Sequence, residues 1–317
     1  MSGALDVIAS PDPAIIAAIA ALAPDNPFLT PAYASAWRSL GESVFALRPS
    51  ATHESAPGTL AFVRRGWRGA SLRIDSVPPW PGSSPAWPAV LEFCRTQAID
   101  RVKLGSFGSL VADVPPLEGE TCRRRRWEYL LALRNDLPDL SDQHKRNVAR
   151  AHRAGLRHVQ SRDPAGCRAH AELVEASLRR HRARGEPAPG AAHLASLEAL
   201  ILSGAAEVHE ARLGDATAAS VLVLRAERGG YYHSAGSSEV GRECGAAAFL
   251  VLQVARALRQ DGADSFNLGG AGATESGLRR FKSGFGTVEY PLQAVSCEIP
   301  LPLARRAIGL WRRLLQT

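Results

Sequence analysis

The stretch from Ala206 to Leu268 constrains the fold more than any other. Ala206–Leu213, Ala218–Ala226 and Gly230–Ala235 are short strand-like runs, separated by Gly214-Asp215 and Arg228-Gly229-Gly230. Three such runs in succession predict an antiparallel meander. A glycine-containing turn then leads into a helix at Gly245–Gln260, where Val251, Val254, Ala255 and Leu258 keep helical spacing. Asp261-Gly262 ends that helix, and Ser265–Leu268 reads as a further strand. The order predicted is strand, strand, strand, turn, long helix, strand.

The rest of the chain reads as mixed α and β. Asp6 and Asp12, with no basic leader, precede the apolar run Ala14–Leu22. The run therefore predicts a helix and not a signal peptide. Thr30-Pro31 predicts an N-cap and first helical residue ahead of Tyr33, Ala36, Trp37 and Leu40. Val44–Leu47, Leu60–Val63, Leu72–Ile74, Val102–Leu104 and Tyr129–Leu133 are candidate strands. Val77–Pro88, with five prolines, predicts an irregular loop before a helix at Ala89–Gln97. Further on, the pattern predicts a strand at Arg157–Gln160 and helices at Pro164–Arg182 and Ala191–Leu202, separated by a loop at Gly185–Gly190. A flexible loop at Gly269–Gly272, a short helix over 274–282 and a strand at Val288–Ile299 follow. Leu301–Leu315 predicts a terminal amphipathic helix, whose Arg305, Arg306, Arg312 and Arg313 could touch a membrane surface but whose apolar side suits packing on the core.

A hydrophobic content of 45% and a charged content of 22% suit a chain that buries a real core. No apolar run reaches the roughly 18–20 residues that span a bilayer, so no integral membrane segment is expected. Five scattered cysteines, with no Cys-x-x-Cys pair, argue against a disulfide framework and a structural zinc site. They point to the reducing cytoplasm. The net charge of +7 and a pI near 9.5 admit a polyanionic partner such as tRNA, a nucleotide-linked substrate or coenzyme A.

The charge clusters in one informative segment. Ser141 is a good N-cap, Asp142 suits the positive end of a helix dipole, and Gly155 suits the position after the C-cap. Between them Arg146, Arg150 and Arg153 fall at i, i+4 and i+7 and share a face, with Lys145 beside them. Val148, Ala151 and Gly155 lie roughly opposite. The stripe reads either as a solvated face or as a phosphate-contacting helix. A second anion candidate is the turn Ser237–Ala247, which contains Arg242-x-x-Gly245-x-Ala247. Gly245, Ala246 and Ala247 would let backbone N–H groups approach a diphosphate at a helix N-terminus.

That turn resembles the acyl-CoA pyrophosphate loop of the GNAT superfamily. Four segments in order strengthen the likeness: Ser141-x-x-His144-Lys145-Arg146-Asn147 ending in Ala154-Gly155; Tyr231-Tyr232-His233-Ser234-Ala235-Gly236-Ser237; Phe266-Asn267-Leu268-Gly269-Gly270; and Leu278-x-x-Phe281-Lys282-x-Gly284-Phe285-Gly286. Together they resemble the Fem-type and BioF-like GNAT acyltransferases. The resemblance implies an α/β (α+β) fold with two tandem GNAT-like domains, each a mixed, mostly antiparallel sheet flanked by helices. The expected division is a degenerate domain over 1–136 and an acyltransferase domain over 137–317. It further implies aminoacyl transfer from tRNA to an amine, with no metal and no tightly bound cofactor, and acyl-CoA is the alternative co-substrate. The acceptor would be a small-molecule or peptide amine. In such enzymes a Phe-Lys step positions and polarises the reacting carbonyl, and Phe281-Lys282 matches it. The long helical arm of cell-wall members has no counterpart, because the helices at 164–202 are short and broken at Gly185-Glu186-Pro187.

The residues themselves leave alternatives. Lys282 could be a surface lysine, and Phe281 and Phe285 could be core. Strand alternation puts Tyr232 and Ser234 on one face and Tyr231 and His233 on the other. His233 reads either as a general base or as a structural histidine. There is no Gly-x-x-x-x-Gly-Lys-Ser/Thr, no His-Glu-x-x-His and no Gly-x-Ser-x-Gly. A non-catalytic GNAT-fold module that binds RNA or a nucleotide is the remaining alternative.

Overall fold

The computed structural model describes residues 4–50, 57–67, 69–110, 113–135, 137, 139–185 and 193–301. The terminal helix expected at 301–315, the loop expected at 185–190 and the start of the helix expected at 191 lie outside the described residues, apart from Leu301 and Gly185.

In chain order the elements are β1 (Leu5–Ala9), α1 (Pro13–Ala21), α2 (Pro31–Ser39), β2 (Ser43–Pro49), β3 (Thr59–Gly66), β4 (Gly69–Ile74), α3 (Ala86–Thr96), β5 (Arg101–Gly105) and β6 (Glu120–Ala132). There follow α4 (Asp142–Arg153), β7 (Arg157–Ser161), α5 (Pro164–Ala183), α6 (Leu194–Leu202), β8 (Ala206–Leu213), β9 (Ala216–Arg225) and β10 (Gly229–Ser237). The last are α7 (Glu239–Glu243), α8 (Ala246–Gln260), β11 (Ser265–Ala271), α9 (Ser276–Ser283) and β12 (Val288–Glu298).

These form two compact units. One holds Met1–Ala23, Phe28–Arg126 and Pro291–Thr317; the other holds Pro24–Pro27 and Trp127–Tyr290. The units differ from the expected 1–136 and 137–317, and strand pairing gives the reason. β6 pairs with β11 from Trp127 onward, while Ala294–Glu298 of β12 pairs with β5.

The first unit orders its strands β1-β2-β3-β4-β5-β12. The pairs from β1 to β4 are antiparallel, β4 and β5 run parallel, and β5 and β12 are antiparallel. Its core gathers Leu72, Ile74, Trp80, Trp87, Val90, Ile99 and Leu104. The second unit orders its strands β7-β8-β9-β10-β11-β6. Again the meander is antiparallel, β10 and β11 run parallel, and β11 and β6 are antiparallel. Each unit is therefore the same mixed, mostly antiparallel sheet with flanking helices. In the second core, Val221 and Val223 of β9 meet Phe249, Val254, Ala255 and Leu258 of α8.

Several sequence expectations need correction. β1 and the first half of β6 were not anticipated, and α3 starts at Ala86, inside the expected proline loop. The expected turn after β10 contains α7, whose N-cap Ser238 accepts from the Gly241 N–H at 3.0 Å. The expected loop Gly269–Gly272 is mostly strand, because β11 runs on to Ala271 through a bulge that glycine makes possible.

Glycines mark where backbones must nearly touch. A Cβ on Gly236 would stand 2.3 Å from the Leu173 carbonyl carbon and 2.6 Å from the Val174 nitrogen of α5. Neither backbone group can turn aside. Gly236→Ala should therefore push α5 off β10 and cost about 2–3 kcal/mol, as overpacking does. A urea unfolding midpoint equal to wild type would show that α5 is not seated there.

Candidate functional site

The second unit contains a built-in opening. β10 and β11 are paired only over Gly229–Tyr231 and Ser265–Asn267, although both strands continue. Each strand carries a bulge at the point of parting, between Tyr232 and Ser234 in β10 and between Asn267 and Gly270 in β11. Gly269 stands at φ +73°, a left-handed conformation that costs glycine nothing. Its N–H donates to the Asn267 side-chain oxygen at 2.8 Å. A Cβ there would lie 3.0 Å from the Tyr232 carbonyl oxygen and 3.7 Å from both Lys282 Nζ and Tyr231 Cε1.

The bulge in β10 overturns the expected alternation. Tyr231 pairs with Leu224 and Tyr232 with Val223, but Ser234 pairs with Leu222 and Ala235 with Val221. His233 is the extra residue. Tyr231 and Ser234 therefore share one face, and Tyr232 and Ala235 share the face that packs against α8. His233 is exposed at the bulge.

Lys282 is not a surface lysine: only 4% of it is exposed. Its Nζ donates to the Gly270 carbonyl at 2.8 Å and stands 5.8 Å from the Tyr129 ring centre and 6.0 Å from that of Tyr232. Burial raises the phenol pKa of both tyrosines. Phe281 precedes Lys282 and packs edge-on against Phe285 at 5.2 Å. The sequence thus brings Lys282, Phe281 and Tyr232 to one place. His233, the extra residue of the bulge, is exposed there.

Tyr231 belongs to a second, fully buried network. Its hydroxyl donates to Glu128 Oε1 at 2.7 Å, and the Asn267 amide donates to Glu128 Oε2 at 3.0 Å. One carboxylate of β6 thereby joins β10 and β11 at the last residues where they pair. On the same face His170 of α5 lies between Ser220 (2.9 Å) and Ser234 (2.8 Å). Burial, and then the nearby His233, push the His170 pKa down to about 3.

The anion candidates sit around the turn between β10 and α8. Among the described residues no side chain caps α8, whose N-cap is Gly245 at φ +78°. The first N–H groups of any helix lack an intrahelical acceptor, and here no side chain takes them. Gly245 is glycine for a second reason: a Cβ would lie 2.6 Å from the Asn147 carbonyl oxygen of α4. Ala246 is core, Ala247 is half-buried and Arg242 is exposed. Arg150 donates to the Glu243 carbonyl at 2.8 Å, which sets the α4 stripe against this turn. Arg146 bonds Gln143, and exposed Lys145 faces Asp139 at 3.7 Å. Arg153 is exposed. From the other side Arg180 of α5 donates to the Ser237 carbonyl at 2.8 Å.

Sequence reasoning missed Glu128, His144, His170, Ser220 and Arg180. Glu128 left one usable signal, a carboxylate directly before the apolar run Tyr129–Leu133. The others come together only through tertiary packing.

An acetyltransferase (GNAT) domain family matches residues 141–283, from the N-cap of α4 to the residue after Lys282. The fold is similar to that of FemX, with a TM-score of 0.64, 13% identity, and 91% of this chain and 96% of that chain covered. It is also similar to L-PGS from Bacillus licheniformis, with a TM-score of 0.55, 13% identity and 98% of each chain covered. A tandem GNAT protein from the clavulanic acid biosynthesis pathway gives a TM-score of 0.51 at 12% identity, covering 94% and 99%. No curated protein matches the chain in sequence. Residues 141–283 are thus similar to a GNAT acetyltransferase domain, and the fold is similar to the folds of FemX and L-PGS. Among the described residues no helix is long and apolar enough to cross a membrane.

The His170 network predicts a pH dependence of stability. The folded state keeps this imidazole neutral down to about pH 3, whereas the unfolded chain takes a proton below about 6.5. Its contribution is complete above about pH 6.5 and falls by about 1.4 kcal/mol per unit as the pH drops further. Urea unfolding at pH 7, 6 and 5 should show this slope in the wild type and a shallower one in His170→Gln. Equal slopes would refute the assignment.

Proposed function

We propose that the second unit is an N-acyltransferase that moves an aminoacyl group from tRNA to a primary amine. The observation that carries this reading is Lys282, a buried ammonium held at the Gly270 carbonyl where β10 and β11 part. The amine nitrogen attacks the acyl carbonyl carbon and forms a C–N bond. The carbonyl oxygen becomes an oxyanion, and collapse expels the ribose oxygen as the C–O bond breaks. The surplus proton of the amine leaves to solvent or to the departing oxygen. A fixed cation beside the oxyanion lowers the barrier because it is already oriented in a water-poor setting. The uncapped α8 N-terminus, Arg242 and the α4 arginines suit a phosphate-rich donor. The resemblance of Phe281-Lys282 and its flanking segments to Fem-type enzymes favours tRNA over acyl-CoA, which would use the same turn.

Purified protein would be given a radiolabelled aminoacyl-tRNA pool and, separately, acetyl-CoA, each with a panel of amines. Amide formed from one tRNA family is the expected result, and Lys282→Met should slow it about 10²–10³-fold. Turnover of acetyl-CoA alone would identify a thioester donor. Salt-sensitive RNA binding without transfer would mark a binding module. A wild-type rate in Lys282→Met would remove Lys282 from the chemistry.

A further inference from the structure

Lys282 sits in the last turn of α9, where carbonyl groups run out of helical partners. The Gly284 N–H donates to the Arg280 carbonyl at 3.1 Å, and the Phe285 N–H donates to the Lys282 carbonyl at 3.2 Å. Neither takes the Phe281 carbonyl. That oxygen is met by His144 Nε2, at 2.7 Å, from the first turn of α4. A carbonyl only accepts, so Nε2 carries the proton.

The rest of the contact makes this a fitted joint between α4 and α9. The His144 ring lies 4.2 Å from the Phe285 centroid and 5.1 Å from that of Phe281, with 4% of the residue exposed. The Ser141 N–H donates to the Gly284 carbonyl at 2.8 Å, and Ser141 Oγ caps the His144 N–H. A Cβ at Gly284 would stand 2.8 Å from His144 Nε2. Among the described residues the buried His144 Nδ1 has no hydrogen-bond partner. Packing alone does not account for that atom. Phenylalanine would fill the same aromatic slot and strand no nitrogen. What histidine adds is the proton on Nε2 for the Phe281 carbonyl.

We propose that His144 is the positioning residue for Lys282. Its hydrogen bond closes the end of α9 at Phe281 and so fixes the backbone from which Nζ reaches Gly270. The functional weight of this rests on the reading of Lys282 given above, but the positioning can be measured without any substrate.

Only three of the 38 basic residues are lysines: Lys103, Lys145 and Lys282. Lys103 and Lys145 are exposed and serve as internal references. Reductive methylation with formaldehyde and dimethylamine-borane, read lysine by lysine by mass spectrometry, reports whether Nζ stays in its niche. In the wild type Lys282 should react at least about tenfold more slowly than the other two, because access requires local opening. His144→Phe keeps the ring and loses the donor. It should raise the Lys282 rate about tenfold while Lys103, Lys145 and the unfolding midpoint stay put. His144→Gln, which can offer an amide N–H to the same carbonyl, should restore protection. Lys282 as protected in His144→Phe as in the wild type would overturn the proposal. So would a Gln variant as reactive as the Phe variant. If His144→Phe does not fold, the Gln variant alone decides: protection supports the proposal and exposure defeats it. A full transfer rate in Lys282→Met would defeat the catalytic reading and leave this result standing.

Discussion

The second unit depends on one constraint: two parallel strands that pair for three residues and then must separate. Parallel strands left unpaired inside a fold expose backbone N–H and C=O groups, and buried groups of that kind need partners. Here the separation is anchored at its root. Glu128 accepts from Tyr231 on one strand and from Asn267 on the other, and Asn267 turns back to hold the Gly269 N–H. Gly269 and the extra residue His233 then carry the strands apart. Lys282 takes one of the freed carbonyls, that of Gly270. The parting is therefore held by hydrogen bonds at its root and at Gly270.

The first unit has the same strand order and shows what happens without that constraint. β4 and β5 also run parallel, over Ser71–Ile74 and Arg101–Leu104. Past that point they stay joined. Ser76 bridges Ser106, the Val77 N–H reaches the Gly105 carbonyl, and the Phe107 N–H reaches the Asp75 carbonyl. Phe107 packs against Phe28 at 5.7 Å. The segment leading to α3 holds Pro78, Pro79, Pro81 and Pro85, which offer no N–H to an anion. Equal topology parts the strands in one unit and keeps them joined in the other, so the parting is a property of bulges and turns and not of the fold.

The meander, α8 and β11 were legible because hydrophobic period and turn residues report local structure directly. The caps of α2 and α4 were legible for the same reason: Thr30 and Ser141 bond groups three residues ahead. Phe281-Lys282 was legible as a pair through resemblance. What could not be read was anything set by a one-residue slip. Tyr231-Tyr232-His233-Ser234 looks like a regular strand, and a single bulge exchanges which residues share a face. Gly269-Gly270 looks like a loop because glycine is common in loops, and here it serves a strand. His144 looked like one more polar residue on a charged helix. Its burial follows from Phe281 and Phe285, more than 130 residues away.

The identity of the buried cation fits the same logic. The chain meets nearly every need for positive charge with arginine, including the α4 stripe and the turn before α8. Arginine suits those places: a planar fork of five donors, weakly hydrated, reaches phosphates and free carbonyls alike, as Arg150 and Arg180 do at Glu243 and Ser237. The niche beside Gly270 is different. It is walled by Tyr129, Tyr232 and the backbone at Gly269, where even a Cβ lies only 3.7 Å from Nζ. A guanidinium needs acceptors spread across its plane and a wider slot to lie in. An ammonium is a compact point charge that one carbonyl and the faces of two aromatic rings can hold. Lysine at 282 is thus the chemical counterpart of glycine at 269: each is the residue small enough for the place where the two strands part.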